Sequence, residues 1–570
     1  MSLAVLLATS CASPQIGGPT APTDDVNAGI LTLPGGRSVA VYPQDLAYSG
    51  TGRYRWPDGR AYDGTWRAGV PHGMGSEQLS NGDSYRGMWR EGRRHGHGEL
   101  TTPEGTHYVG DFVNGLREGE GVESSAAGLY RGSWHQDVPD GSGTFHGSAG
   151  DIYEGEWRRG ERHGFGRYTD KQGNRYEGDW ADDNPHGFGS MHNADSSSYR
   201  GQWHNGAQSG YGYQVNASGL IYEGTWVANK RDGFGREQRP DGREYIGEWL
   251  ADQRHGQGRE SSVDGSFHDG AWEHNQTFGP GTRRNRTGIE ISGVWNNNHV
   301  SSGLLTLPTG AEYAGPLLRK GGSEVQPPLL AWLAENAAAN DPYAQLFLAT
   351  TYADFKRPLP DPAKALRWFT AAADAGIAEA QFRTATLIIN DNTPRAIEFL
   401  AAAAAANHPD ANALLGQYYL TGRWVPGNSQ MAMRYLEAAS TAGNLAARNN
   451  FAWMLATDPA AAIRDGAKAV TVIKPIALMY RDWQHMDTLA AAYAELGEFD
   501  AARRAQRSAI DAFAASDDPG RTVDDAAGLL QQMRSRLTLY QNGLPYRQDP
   551  THSAGRSSAA TTDATVEQTP

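Results

Sequence analysis

The residues best placed to do chemistry recur in one pattern. Tyr153-Glu154-Gly155-Glu156-Trp157 is followed six residues on by His163-Gly164-Phe165-Gly166. Two chemistries fit such types. A glycine-rich turn can cradle a phosphate with backbone N–H groups, and a histidine can hold a metal or move a proton. Neither develops here. The Gly-x-Gly pairs lack a third glycine, and the chain has no Gly-Lys-Ser/Thr, no Gly-x-Ser-x-Gly and no His-Glu-x-x-His. Equivalent histidines on neighbouring repeats would sit about two strand spacings, ~10 Å, apart, whereas one zinc draws its ligands to ~2.0–2.1 Å. His95 and His97 share a strand face but have no evident third ligand. The reading is therefore not an enzyme, with no catalytic residue, metal ligand or cofactor assigned.

The elements that must position these residues follow from the recurrence. Tyr-x-Gly-x-Trp or a near variant starts at Tyr62, Tyr85, Tyr108, Tyr130, Tyr153, Tyr176, Tyr199, Tyr222 and Tyr245. Worn copies start at His268, Ile291 and Tyr313, and the step is 23 residues with two steps of 22. A fixed period of this size marks a repeat architecture. Residues at i, i+2 and i+4 share one strand face. The ladder positions are thus Tyr62, Gly64, Trp66, Tyr85, Gly87, Trp89, Tyr153, Gly155, Trp157, Tyr176, Gly178 and Trp180. Dipeptides such as Asp58-Gly59, Asn81-Gly82 and Gln172-Gly173 supply turns. Each unit is predicted to be a β-hairpin in which bare glycine backbone makes room for rings. Some exposed tyrosines and tryptophans could instead stack on sugars. Arg93-Arg94 and Arg158-Arg159 are expected to be solvated turn residues, with lipid contacts as the alternative.

The pattern Tyr-x-Gly-x-Trp-x-x-Gly-x-x-His-Gly-x-Gly closely resembles the MORN repeat, and Tyr153 to Gly166 match its fixed positions. The resemblance covers about half the chain. It implies an elongated single-layer β-sheet used as a scaffold or binding platform, in some members at membranes and in some as a homodimer.

Glycine numbers 70 of 570 residues, and nearly all of the excess precedes residue 325. Beyond it the chain is Ala-rich with helical periodicity. Amphipathic segments are expected at 343–352, 362–375, 378–389, 394–406, 411–420, 429–442 and 445–456. The stretches 362–376, 411–422 and 431–443 resemble Sel-like repeats, and 449–457 and 487–502 resemble their tetratricopeptide (TPR) relatives. The resemblance implies an α-solenoid whose groove holds peptides or protein partners. Asn412, Asn449 and Asn450 are candidate groove residues, with helix capping or an internal hydrogen bond as the alternative.

Cys11, the single cysteine, follows the apolar run Leu3–Ser10. This resembles a bacterial lipoprotein signal, which implies lipidation at Cys11. An ordinary cleaved signal peptide or a buried strand are the alternatives. No Asp follows the cysteine, which by the same resemblance favours the outer membrane. Net charge is −14 with signs interspersed, which argues against nucleic acid.

The expected fold class is a β + α repeat protein: a β-hairpin ribbon, then an α-solenoid. The expected division is signal peptide 1–11, tether 12–28, ribbon 29–320, linker 321–328, solenoid 329–547 and tail 548–570. The expected function is a protein–protein interaction scaffold at the cell envelope, facing the periplasm, with envelope proteins as partners. The alternative is a module that contacts peptidoglycan, another glycan or lipid headgroups through the ribbon.

Overall fold

A computed structural model describes residues 29–43, 46–318, 325–353, 360–516 and 523–548. Cys11, the tether 12–28, residues 321–324 of the expected linker and residues 549–570 of the tail lie outside the described residues. The chain divides into two compact units, 1–212 and 213–570.

In the first unit, consecutive antiparallel strands form a single sheet. Gly29–Thr32 lies between Ser38–Val41 and Gly50–Arg55, so Ser38–Val41 is an edge. From Gly50 onward each strand pairs with the next, two strands per repeat. The strand Ile152–Arg158 is typical. It pairs with Val138–Gly147 on one side, with Gly143 opposite Gly155, and with Glu161–Thr169 on the other, with Gly166 opposite Gly155.

Two kinds of turn alternate. The wider turns place glycine in the left-handed region, as at Gly59 (φ 93°) and Gly173 (φ 92°). The narrower ones have two left-handed residues, as at Arg159 (φ 53°) and Gly160 (φ 85°), the hairpin geometry whose twist matches that of the flanking strands. The second strand of each repeat also contains a bulge. It opens between Gly155 and Glu156 on the pairing with Glu161–Thr169, and Gly164 has φ 57°. The first glycine of His-Gly-x-Gly is thus needed for backbone conformation and the second for space.

The second unit holds hairpins of the same kind up to Pro316 and then turns helical. Its described helices are α1 Pro327–Ala338, α2 Pro342–Ala353, α3 Pro362–Asp374, α4 Ala378–Ile388, α5 Thr393–Ala405 and α6 Pro409–Thr421, followed by α7 Ser429–Thr441, α8 Leu445–Thr457, α9 Gly466–Tyr480, α10 Trp483–Leu496, α11 Phe499–Ala515 and α12 Val523–Gln541. Capping side chains fix several starts. Asp361 accepts from the Lys364 amide at 3.0 Å, Asn444 from Ala447 at 2.8 Å and Asp465 from Lys468 at 2.8 Å. Buried alanines, among them Ala372, Ala403, Ala411, Ala439, Ala452 and Ala490, let the helices approach closely.

The compositional change near residue 325 is not a boundary of packing. One apolar core joins Ile291, Trp295, Val300 and Leu305 of the last strands to Leu329 and Leu333 of α1 and Leu348 of α2. Burial of that shared surface ties the helices to the end of the sheet. No helix among the described residues is long and apolar enough to cross a membrane.

Candidate functional site

The motif residues build a closed ladder. Tyr62, Tyr85, Tyr153 and Tyr176 are each 1% exposed. Trp66, Trp89, Trp157 and Trp180 are also buried. Tyrosine rings sit edge-to-face between the aromatic ring of their own repeat and that of the next, a tryptophan in most repeats and Phe112 beside Tyr85 and Tyr108. Tyr153 lies 5.2 Å from Trp157 of its own repeat and 5.3 Å from Trp180 of the next, at interplanar angles of 90° and 82°. Tyr62 does the same with Trp66 at 4.8 Å and Trp89 at 5.3 Å. Such a pair stabilises by about 1 kcal/mol beyond its area burial.

The polar tips are used too. Tyr153 Oη donates to the Glu156 carbonyl at 2.9 Å, and Tyr176 Oη to that of Asp179 at 2.9 Å. Trp66 Nε1 donates to the Gly52 carbonyl at 2.8 Å and Trp180 Nε1 to that of Gly166 at 3.2 Å. Burial pushes the Tyr199 hydroxyl up to about 12. The glycines make this possible. A Cβ on Gly166 would lie 2.4 Å from Tyr153 Oη, and one on Gly155 would lie 2.5 Å from Gly166 Cα.

These rings cannot stack on a sugar, because each is covered by its neighbours. The exposed aromatics are other residues. Phe165 (49%), Phe188 (51%) and Tyr211 (55%) occupy the variable position of His-Gly-x-Gly in successive repeats. Their backbone amides donate to Glu156 Oε1 at 3.4 Å, Asp179 Oδ2 at 3.0 Å and Gln202 Oε1 at 2.8 Å. The side chain immediately after the glycine of Tyr-x-Gly-x-Trp therefore caps the bulge.

The basic pairs separate. Arg158 is exposed as expected, whereas the Arg94 side chain is only 12% exposed. Its guanidinium lies 5.0 Å from the Tyr85 ring, and its Nη2 is 3.4 Å from Glu77. Arg162, at the equivalent position of a later repeat, stacks 4.4 Å from Trp180 and donates through Nε to Asp183 at 3.0 Å. A flat cation covers an aromatic face well, so these arginines are part of the ladder.

Among the described residues the histidines meet in pairs at most, His186 with His204 at 5.1 Å between ring centroids and His255 with His274 at 6.1 Å. His97 Nδ1 lies 3.2 Å from Asp111, and Nδ1 of His72, His95 and His186 is buried without a hydrogen-bond partner among the described residues. Among the described residues no group of three or more His, Cys, Asp or Glu could hold a metal ion. His268 takes the tyrosine place in the ladder, 5.3 Å from Trp272 and 5.1 Å from Trp295. Burial, and then the nearby Arg283 charge, lowers its pKa to about 3.

Within residues 213–570 the wider β-turns meet successive helices, those from Val263 onward at or just before helix starts. Thr309 donates to Asp341, just before α2. Arg286 donates to Glu379 in α4 at 2.5 Å and to Asp410 in α6 at 2.9 Å. Val263 packs on Gly443 before α8, and the Pro240 carbonyl accepts from Arg448 of α8 at 2.6 Å. Gly219 faces Pro475 of α9. His408 Nε2 is 2.8 Å from Glu379, and Asn444 donates to Asp410 at 2.9 Å. Burial alone would raise the Glu379 pKa, but the His408 hydrogen bond and the Arg286 and Arg383 charges outweigh it and hold the carboxyl well below the usual range. Sequence reasoning missed this cluster, because its members are far apart along the chain.

The three asparagines differ. Asn412 is buried, and its Nδ2 donates to the His408 carbonyl at 3.0 Å and to that of Ala404 at 3.4 Å. Its amide nitrogen is therefore engaged inside the helix pair and cannot clamp a peptide. Asn449 and Asn450 are half-buried on α8, with Asn449 Oδ1 unpaired among the described residues.

With this geometry in place, the comparisons with known proteins define the class. The MORN repeat model matches ten segments between residues 47 and 267, and the Sel1 repeat model matches 342–377 and 409–444. The chain carries ten MORN repeats in its N-terminal part and two Sel1 repeats in its C-terminal part. Repeats of both kinds commonly mediate protein–protein interaction.

An uncharacterized protein of Neisseria meningitidis serogroup B is 32% identical over 106 residues, 19% of this chain, and the chain spans 23% of that protein's length. Among solved structures, a Sel1 repeat protein from Oxalobacter formigenes is 28% identical, covering 21% of this chain and 96% of that one, with a TM-score of 0.20. A putative Sel1 repeat protein from Klebsiella pneumoniae is 17% identical, covering 36% and 99%, with a TM-score of 0.24.

Proposed function

We propose that this chain is a non-enzymatic scaffold that holds other proteins together at a bacterial envelope membrane. The observation that carries the reading is how the repeats spend their residues. Tyrosine, glycine, tryptophan and the stacked arginines of the MORN motif are consumed in the ladder. The last β-turns are fastened to the helices through Arg286. What results is a fixed surface of many small units, suited to binding partners rather than to turnover. Envelope proteins are the proposed partners, held by the helical repeats. Anchoring rests on the apolar run before Cys11, with the chain facing the periplasm at the outer membrane.

The test is co-purification of the full chain from solubilised envelopes, alongside Cys11→Ser. Proteins retrieved in constant ratio support the scaffold, and loss of membrane association in Cys11→Ser supports the anchor. Retrieval of no protein above background would overturn the scaffold reading.

A second reading has its own observation. The exposed Phe165, Phe188 and Tyr211 offer stacking faces for a glycan or for lipid headgroups. Saturable binding of the chain to peptidoglycan fragments or liposomes, lost in Phe165→Ala/Phe188→Ala, would favour it.

A further inference from the structure

After α12 the chain does not leave the helical array. Gly543 adopts φ 69°, the Leu544 amide donates to the Leu539 carbonyl at 3.0 Å, and the next residues run back without regular structure. We propose that the face of α8, α10 and α12 receiving Leu544–Gln548 is a binding groove for an extended peptide, occupied here by the chain's own segment.

Each side chain of Tyr546-Arg547-Gln548 meets a partner on the helices, Trp453 serving both Tyr546 and Gln548. The Tyr546 ring lies 5.8 Å from that of Trp453 on α8, and the Arg536 guanidinium of α12 is 5.5 Å from Tyr546 and 5.6 Å from Trp453. Arg547 Nη1 pairs with Glu495 Oε2 of α10 at 2.7 Å. Trp453 Nε1 donates to Gln548 Oε1 at 2.9 Å. The backbone takes part as well, with the Gln548 amide donating to the Thr457 carbonyl at 2.9 Å.

The receiving side is braced from behind. Arg536 is 3% exposed and is held by Asp487 through two contacts of 2.9 and 3.0 Å. Arg464 holds the other Glu495 oxygen at 3.0 Å. Fixed side chains of this kind lose little freedom when a ligand arrives. An aromatic slot, a carboxylate, an indole donor and a backbone acceptor define the ligand: an extended segment with aromatic, basic and amide-bearing residues in succession. The tether gives the resident segment a high effective concentration, so a partner must displace it.

The inference deepens the scaffold reading and rests on it for a partner's use of the groove; the groove itself is tested without one. The probe is a fluorescein-labelled peptide with the sequence of residues 543–550, Gly-Leu-Pro-Tyr-Arg-Gln-Asp-Pro. The receptor is the full chain carrying Tyr546→Ala and Arg547→Glu, which weaken the resident segment. Anisotropy should show saturable binding, on the order of tenfold or more tighter than to the unaltered chain. Adding Trp453→Ala should abolish it. In a chain with Tyr546→Ala and Arg547 kept, Glu495→Arg should weaken the probe and favour a peptide with Glu in place of its Arg.

A folded double variant that binds no peptide would overturn the groove and leave the segment a cap on the array. Loss of the helical circular dichroism signal in the double variant would also count against it, because removing a ligand leaves its receptor folded. Peptide binding without co-purified protein would sink the scaffold and keep the groove; the reverse pair of results would do the opposite.

Discussion

Arg286 and Glu379, 93 residues apart, meet at 2.5 Å where a β-turn touches the first turn of α4. Asp410 takes the other side of the guanidinium at 2.9 Å. The equivalent position in neighbouring turns is held by Pro240, Val263 and Pro308. Two repeating surfaces could dock in several registers. A slip of one repeat would set Val263 or Pro308 against two carboxylates, leaving Asp410 without its arginine and Glu379 with Arg383 but not Arg286. A single charge placed in this way fixes register.

Arg286→Ala is therefore expected to destabilise residues 213–548 by about 2–4 kcal/mol, less than a fully buried pair because a quarter of the Arg286 side chain is in solvent. Combining it with Glu379→Gln should cost less than the sum of the two single changes, since one of the two carboxylates that Arg286 pairs with is then neutral. Urea unfolding of the four proteins checks this; strict additivity would refute the coupling.

Gly166→Ala should destabilise by about 3 kcal/mol or more, because its methyl would meet Tyr153 and no large motion is open to a ring packed between two tryptophans. Gly173→Ala, in open space at φ 92°, should cost only about 1–2 kcal/mol, the price of the left-handed backbone. Thermal unfolding followed by tryptophan fluorescence separates the two. Equal shifts would show that the glycines serve conformation alone.

His268 gives the ladder a pH dependence. Its folded pKa, about 3, lies below its ordinary value of 6.5. The neutral ring is the folded form, so its stabilising contribution is complete above pH 6.5 and falls as the pH drops toward 3. His268→Phe should lose that slope and keep the ring contacts with Trp272 and Trp295. Unfolding free energies of both proteins between pH 4 and 8 check the sign.

Arg162→Ala should destabilise by about 1–2 kcal/mol through loss of its stacking on Trp180 and its bond to Asp183, with Arg162→Lys recovering only part. Arg158→Ala, on an exposed side chain, should change stability by less than about 0.5 kcal/mol. Similar effects at both positions would show that the stacking carries no weight.

The sequence by itself determined the repeating units. A period of 23 residues, alternation of ring and glycine, and a turn glycine at a constant offset are local signals, and so is the switch to helical spacing near residue 325. Tyr153, Gly155 and Trp157 therefore stood out with their partners already implied. What the tertiary structure decided is everything that joins distant parts of the chain. It placed Arg94, which pairs across its hairpin with Trp89, over a ring and left Arg158, next to the ladder's Trp157 and on the opposite face, in solvent. It engaged the Asn412 amide nitrogen inside a helix pair. It set Arg286 against Glu379 and Asp410, and Tyr546 against Trp453. Such contacts depend on how one array lies on another or on where a chain end returns, and no periodicity along the chain encodes that.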